Sequence, residues 1–439
     1  MEASSDCTRQ KPPWKVDARD HTMQQDITGL LEGMGVEQSS STVDLSMLLE
    51  AIRQFLDMDV AFTSRFAQDQ RKVELVSAND ETSFSHPLTS GLSDPLEQSY
   101  CFKIASGELG NIISDTAANE ITRAMPVTRK LEIGAYIGVP ITLQNGDIYG
   151  TLCCYDKAPN RKLNPRDVEL LHIIASYAGQ VLGRNLANQQ HKDKLCSAVR
   201  EVIDNDRIEV VFQPIYGKQS KSYEYYEVLA RFNTQPYRPP NEWLDDADFV
   251  GLGLEVESAI IKQVVSRLHV AATQKLELKA SINVSPRMVE SGLLPGLLAE
   301  VSSEQVRIEL TEHVGVTNYE TFRSYLKPLV QRGFKICIDD VGAGFASLKH
   351  ILEIEPDVIK LDLSLASNIH LDPKRQALVT GLLAFARSFN CEVVAEGVET
   401  AQEFQALKTL GVTFFQGWFF SRPVRFEQLD SNLAVAAVV

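Results

Sequence analysis

The chain has 439 residues and a formal net charge of −15. That length exceeds what one ordinary core fills, so two domains are expected, and the acidity argues against a general binder of nucleic-acid polymers or anionic membranes while leaving room for a local basic pocket. With 44% apolar and 23% charged residues the composition is that of a soluble globular protein, and no run approaches the roughly 18 apolar residues of a membrane span.

The opening MEASSDCTRQKPPWK has no apolar core and does not read as a signal peptide. Residues 1–25 are polar and aperiodic, and disorder is expected there. Helical spacing over DLSMLLEAIRQFL is followed by strand-like DVAFTSRF (59–66) and KVELVSA (72–78), then by a loop-rich stretch at 79–99. Two further strand-like runs, IGAYIGVPITL (133–143) and IYGTLCCYD (148–156), flank Gln144-Asn145-Gly146-Asp147. Asn-Gly between such runs predicts a hairpin. Together these elements make an α+β domain, taken as 26–185. The seven cysteines, at 7, 101, 153, 154, 196, 337 and 391, are odd in number and form no C-x-x-C. They read as reduced thiols of a cytoplasmic protein. Cys153 and Cys154 are adjacent in a strand and point to opposite faces, and core packing of one is the favoured reading over redox sensing.

From Asp167 apolar residues recur at helical spacing to about 203. A periodic stretch longer than about 25 residues outgrows one globular domain. The stretch is therefore read as a helix that links the two domains through 186–205 and pairs with its twin in a homodimer along 170–186, and a split into two helices around 188–192 is the alternative. The N-terminal domain resembles a GAF sensory domain, through DPLEQSYC (94–101), IISDT (112–116), GAYIGVPI (134–141) and YGTLCCYD (149–156). The resemblance implies a six-stranded antiparallel sheet with a pocket that holds an unknown small molecule or has become structural. Phe102 follows Cys101, so the Cys-His pair that attaches a bilin is missing and no chromophore is expected. Tyr100, Cys101 and Tyr136 read equally well as core residues.

Beyond Asp206 strands alternate with helices, including ESAIIKQVVSRLHVA (257–271) and VETAQEFQALKTLG (398–411), the latter stopped by Gly411. Eight short apolar runs each carry a polar residue at or near one end. These are Gln213, Glu227, Asn283, Glu309, Asp339, Lys360, Glu396 and Gln416. The pattern predicts a TIM-type (β/α)8 barrel over 206–439 with its site at the mouth, and a doubly wound sheet is the alternative. The closing LAVAAVV (433–439) reads as a last packed turn or strand. Glu227, Glu309, Asp339, Asp340 and Glu396 would place five negative charges at that mouth against one positive charge from Lys360. Like charges near 4 Å cost on the order of 4 kcal/mol per pair at an effective dielectric of 20. Two divalent ions would bring the sum to zero, and oxygen donors favour Mg²⁺, Mn²⁺ or Ca²⁺ over zinc. Two such ions suit in-line displacement at a phosphoryl group. Each motif alone is weak, since every one of these residues has an ordinary reading as a cap, an ion pair or a strand-end amide. Their order and spacing together carry the argument.

Residues 206–439 resemble an EAL domain, the bacterial phosphodiesterase of cyclic di-GMP. The matching stretches are QPI (213–215), EVLAR (227–231), NVS (283–285), ELTE (309–312), DDVGAG (339–344), KLD (360–362), EGVE (396–399) and QG (416–417). The resemblance implies that Glu227, Asn283, Glu309 and Asp339 ligate metal, that Asp339 bridges two Mg²⁺ or Mn²⁺ ions, and that Asp340 binds the second. It implies that Lys360 orients the attacking water, that Glu396 and Gln416 serve the same water network, that Gln213 and Arg231 touch substrate, and that Glu312 anchors a loop. The implied reaction opens cyclic di-GMP to linear pGpG. A receptor that binds without cleaving, and a scaffold, are the alternative readings. Val228, Val341 and Phe345-Ala346 depart from the family pattern, the last two in what is expected to be a regulatory loop.

Overall fold

The computed structural model describes residues 41–79, 88–310, 318–342 and 346–429, without the side chains of 41–44 and 346–348. The expectations for 1–25, Glu312, Phe345 and the closing apolar run lie outside these residues. The chain divides into two compact units between Gln190 and His191.

The first unit is built on six strands: β1 (Val60–Ala67), β2 (Gln70–Ala78), β3 (Ser93–Pro95), β4 (Ile112–Ile113), β5 (Ala135–Thr142) and β6 (Ile148–Asp156). Their order is β3-β2-β1-β6-β5-β4, and every neighbouring pair is antiparallel. The expected hairpin joins β5 to β6. In its turn Asn145 Oδ1 accepts from the Asp147 amide at 3.1 Å and Gly146 takes φ +85°, a conformation glycine adopts without Cβ strain. Strand alternation gives the sheet two apolar faces. Ile137, Val139 and Ile141 pack with Leu45, Leu49 and Ile52 of the helix Ser41–Phe55, and with Leu171, Ala175 and Ala178 of a second helix. Val60, Phe62, Tyr136, Cys153 and Tyr155 pack on the other face with Tyr100, Cys101 and Ile104. Tyr100, Cys101 and Tyr136 are 1–2% exposed, and the void among them measures only about 10 Å³. A wider cleft of about 670 Å³ opens at the β1–β2 turn, lined by residues that include Phe66, Asp69, Leu96 and Phe102.

One helix runs from Pro165 to Asp204 without a break at 188–192. The second unit then follows as β7 (Ile208–Gly217), β8 (Ser222–Phe232), β9 (Ala280–Val284), β10 (Val306–Leu310), β11 (Lys335–Val341), β12 (Val358–Leu361), β13 (Glu392–Ala395) and β14 (Phe414–Gln416). Pairing of β14 with β7 closes an eight-stranded barrel, and a short strand β15 (Val424–Arg425) adds to the outside of β7. The barrel is parallel except at β7, which is antiparallel to both neighbours. Only four residues separate β7 from β8, enough for a reverse turn and too few for a crossover. Helices Pro240–Val250 and Gly253–Thr273 cross from β8 to β9, and Ala401–Leu410 crosses from β13 to β14. The last is closed by a Thr400–Glu403 capping box at its start and by Gly411 at φ +109° at its end, as its sequence predicts.

Alternation sorts each barrel strand into two sets. Ile282, Ile308, Ile338, Ile359 and Val393 face the surrounding helices in one large core. The inward set is layered. At the floor Arg307 bonds Glu392 at 2.7 Å and stacks 3.5 Å from the Tyr225 ring centre. Ile215, Cys337, Val358 and Val394 form an apolar middle. The residues above that layer are polar. Among the described residues no helix is long and apolar enough to cross a membrane.

Candidate active site at the barrel mouth

Register carries the predicted residues to one place. Gln213 pairs with Glu227 across β7 and β8, Asn283 with Glu309 across β9 and β10, and Gln416 lies opposite Ile215. Lys360 stands at the centre, 1% exposed. Its ammonium lies 2.5 Å from Glu396 Oε1, 3.1 Å from Glu227 Oε2, 3.1 Å from Glu309 Oε2 and 3.3 Å from Asp339 Oδ1. Asn283 donates to Glu227 Oε1 at 3.1 Å, and Gln416 donates to Glu227 Oε2 at 2.6 Å and to Gln213 Oε1 at 3.3 Å. Glu227, Glu309 and Asp339 form one group able to ligate a cation, and Asp339, Asp340 and Glu396 form a second. Asp339 belongs to both.

Consecutive strand residues point to opposite faces, so two adjacent aspartates facing one site need a local device. The β11–β12 register slips between Ile338 and Val341, and Asp340 takes φ +55°. The bulge turns Asp340 back toward the mouth, and aspartate is among the few residues that tolerate this conformation. Val341 was expected in a loop. It is instead the last residue of β11, 1% exposed and packed in the outer core.

One lysine does not neutralise this many carboxylates. Burial would lower the Lys360 pKa, but Asp339, Glu227, Glu309 and Glu396 outweigh it and hold the ammonium charged. Burial, with Glu227 and Asp339 nearby, pushes Glu309 up to about 8 despite Lys360. Burial also raises Glu396 well above the usual range, with Asp339 and Glu227 adding to it. Glu227 alone is lowered, because Lys360, Gln416 and Asn283 together overcome its burial. The raised carboxyls mark a mouth that cannot hold all its carboxylates ionised against Lys360 alone, and its oxygen donors fit hard divalent cations. One acceptor is left over: Gln416 Oε1 is buried and has no hydrogen-bond partner.

Two predicted residues stand apart from this cluster. Gln213 reaches it only through Gln416, and its own amide donates to the Ser421 carbonyl at 3.5 Å. The Arg231 guanidinium donates to the Ala230 carbonyl at 2.7 Å and borders a cavity of about 330 Å³ that also touches Asn283 and Glu257. Two residues that the sequence reading passed over also support the site. The Ser281 hydroxyl makes a short bond to Glu309 Oε1; it lies two positions before Asn283, so strand periodicity alone would have found it. The Glu257 carboxylate accepts from the Ser285 amide at 2.6 Å and from its hydroxyl at 2.7 Å, pinning the turn that follows Asn283.

A closed barrel with a mouth of carboxylates, amides and one lysine defines a β/α-barrel protein equipped for hard cations. The chain belongs to the EAL domain family, whose model matches residues 197–423, more than half of its length; the GAF domain model matches residues 45–182 ahead of it. It is similar to "Signaling protein YkoW" of Bacillus subtilis (strain 168), 30% identical over 240 residues that make up 53% of this chain and 30% of the relative. It is also similar to "Cyclic di-GMP phosphodiesterase PdeR" of Escherichia coli (strain K12), 29% identical over 235 residues, 52% of this chain and 35% of the relative. The match therefore spans about a third of each of these relatives. Among solved structures, EAL enzyme Bd1971 in its cAMP- and cyclic-di-GMP-bound form aligns over 86% of this chain and 93% of its own, with a TM-score of 0.53 and 18% identity, a likeness of fold.

Proposed function

We propose that this chain is a cytoplasmic cyclic di-GMP phosphodiesterase that opens one phosphodiester of the ring to give linear pGpG. The observation that carries the proposal is the pair of overlapping acidic groups sharing Asp339. Glu227, Asn283, Glu309 and Asp339 would hold one Mg²⁺ or Mn²⁺ ion, and Asp339 with Asp340 would hold the other. Two such ions, when bound, acidify a water and offset charge on the phosphate. Lys360 keeps a fixed positive charge beside the phosphorus as negative charge builds on its oxygens. Gln416 donates to Glu227 and keeps its carbonyl oxygen for the attacking water, and Glu396, in contact with the Lys360 ammonium, takes part in the same water network and in proton handling. The Arg231 fork suits a phosphate oxygen, and Gln213 contacts the nucleotide from β7. The GAF domain, through a ligand of unknown identity, regulates this activity in a homodimer.

The test is product analysis of the full chain incubated with cyclic di-GMP and Mg²⁺ or Mn²⁺. Formation of pGpG that disappears in Glu227→Ala is the expected result. Tight nucleotide binding without product would replace the enzyme with a receptor, and neither binding nor product would leave a scaffold.

A further inference from the structure

The strand pair Cys153-Cys154 splits as alternation requires. Cys154 enters the core beneath the two long helices, and Cys153 enters the opposite core. There its Sγ lies 4.0 Å from Cys101 Sγ, across 52 residues of chain. Both thiols are buried, at 0–1% exposure. The site is built around this contact. Arg71, 3% exposed, directs Nη1 to Cys101 Sγ at 3.8 Å, while its Nε donates to Asp94 Oδ1 at 2.8 Å and its Nη2 makes a short bond to the same carboxylate. The Tyr136 hydroxyl lies 3.5 Å from Cys101 Sγ. Gly138 is the cross-strand neighbour of Cys153, and a Cβ there would stand 2.8 Å from its sulfur. Glycine at that position leaves the sulfur its space.

We infer that Cys101 and Cys153 are a redox-active dithiol, oxidised to a disulfide by a hydroperoxide. A cation site is disfavoured because the guanidinium already faces Cys101, and two thiols fall short of the three or four protein ligands zinc takes. Burial alone would raise both thiols. At Cys101 the bond from Cys153, the Arg71 charge and the bonds from Thr151 and Tyr136 reverse this and hold the thiol well below its usual range, while Cys153 stays raised. Cys101 therefore supplies the thiolate that attacks, and Cys153 resolves. The Cys101 sulfur attacks one peroxide oxygen. An S–O bond forms, the O–O bond breaks, sulfur loses two electrons, and the departing hydroxide leaves as water after taking a proton. Cys153 then loses its proton and attacks the sulfenyl sulfur; the S–S bond forms and the S–O bond breaks, releasing a second water. Net, two thiols and one hydrogen peroxide give one disulfide and two waters. The sulfurs must close by about 2 Å to bond, a side-chain rotation. The void that Cys101 lines together with Arg71 and Tyr136, about 10 Å³, admits an oxidant little larger than water.

The test uses the full chain treated with hydrogen peroxide, then alkylated without reduction, digested and mapped. A peptide pair joining Cys101 to Cys153 is expected, formed about tenfold faster than any oxidation of Cys154. Cys154→Ser should keep the link. Cys153→Ser should stop at a sulfenic acid on Cys101, which dimedone added together with denaturant traps, and Cys101→Ser should give neither. Glutathione disulfide, too large for the void, should give no link in the same interval. The wild-type map needs no variant to fold. If peroxide leaves Cys101 and Cys153 alkylatable, or links Cys101 to other cysteines as often as to Cys153, the dithiol is not a redox site.

Discussion

At the scale of single residues the mouth is a balance of charge around Lys360. Its ammonium touches four carboxylates, so Lys360→Ala leaves them facing one another without a cation. Removing one partner of a buried ion pair costs about 3–5 kcal/mol, and a loss of that order is expected in chelator. Mg²⁺ should then raise the melting temperature of the variant more than that of the wild type, because the ions replace the missing charge. Turnover in saturating metal should fall by about 100-fold or more; unchanged turnover would remove Lys360 from the chemistry. Ser281 sets a finer balance. Its hydroxyl donates to the Glu309 carboxylate and so favours the charged form of a group already raised to about 8. Ser281→Ala should lift that carboxyl further, and a proton competes with a cation for it. Metal affinity by titration calorimetry should drop by about tenfold at neutral pH, with the deficit shrinking as pH rises above 8. A deficit constant with pH would mean that Ser281 only packs.

At the scale of elements, the bulge in β11 decides whether two adjacent aspartates reach one site. Asp340→Asn removes the charge but keeps a side chain that tolerates positive φ, so its stability should stay near wild type. Asp340→Val places a β-branched residue at φ +55° and should cost about 1–2 kcal/mol more in denaturant unfolding. Equal stability of the two would refute the strained conformation. Strand period made most of this site readable in advance: Glu227, Asn283, Glu309, Asp339, Lys360 and Gln416 each sit at an inward position above an apolar layer, and a polar residue there stands out in an apolar run. Glu257 did not stand out, because a glutamate on an amphipathic helix reads as part of a solvated face. Its bonds to Ser285 are made across 28 residues, a contact no local pattern reports. Arg231 was placed with the substrate by its neighbours in sequence. It lies four positions beyond Glu227 on β8, roughly 13 Å of extended chain, which sets it beside the cavity rather than among the carboxylates. The reversal of β7 was written in the short spacing between Gly217 and Ser222, where alternation of side chains says nothing about strand direction.

At the scale of the whole molecule, each unit closes its own cores. Among the described residues, the apolar clusters on the two faces of the antiparallel sheet draw none from beyond Leu182, and those of the barrel unit draw none from before Cys196. Separate cores allow separate unfolding, so calorimetry of the full chain should resolve two transitions. Only one of them contains the acidic mouth. A ligand stabilises the state that binds it by RT ln(1 + [L]/Kd), about 2.7 kcal/mol at a hundredfold excess over Kd. Mn²⁺ should therefore move one transition up by several degrees and leave the other in place, and Glu227→Ala should abolish that shift without merging the two. Peroxide treatment supplies the converse experiment. A Cys101–Cys153 bond encloses a loop of about fifty residues and should stabilise its unit by a few kcal/mol through loss of chain entropy in the unfolded state, moving the transition that metal does not. A single transition responding to both treatments would show that the two units unfold as one body, and the assignment of each chemistry to its own unit would then rest on the peptide map and the product assay.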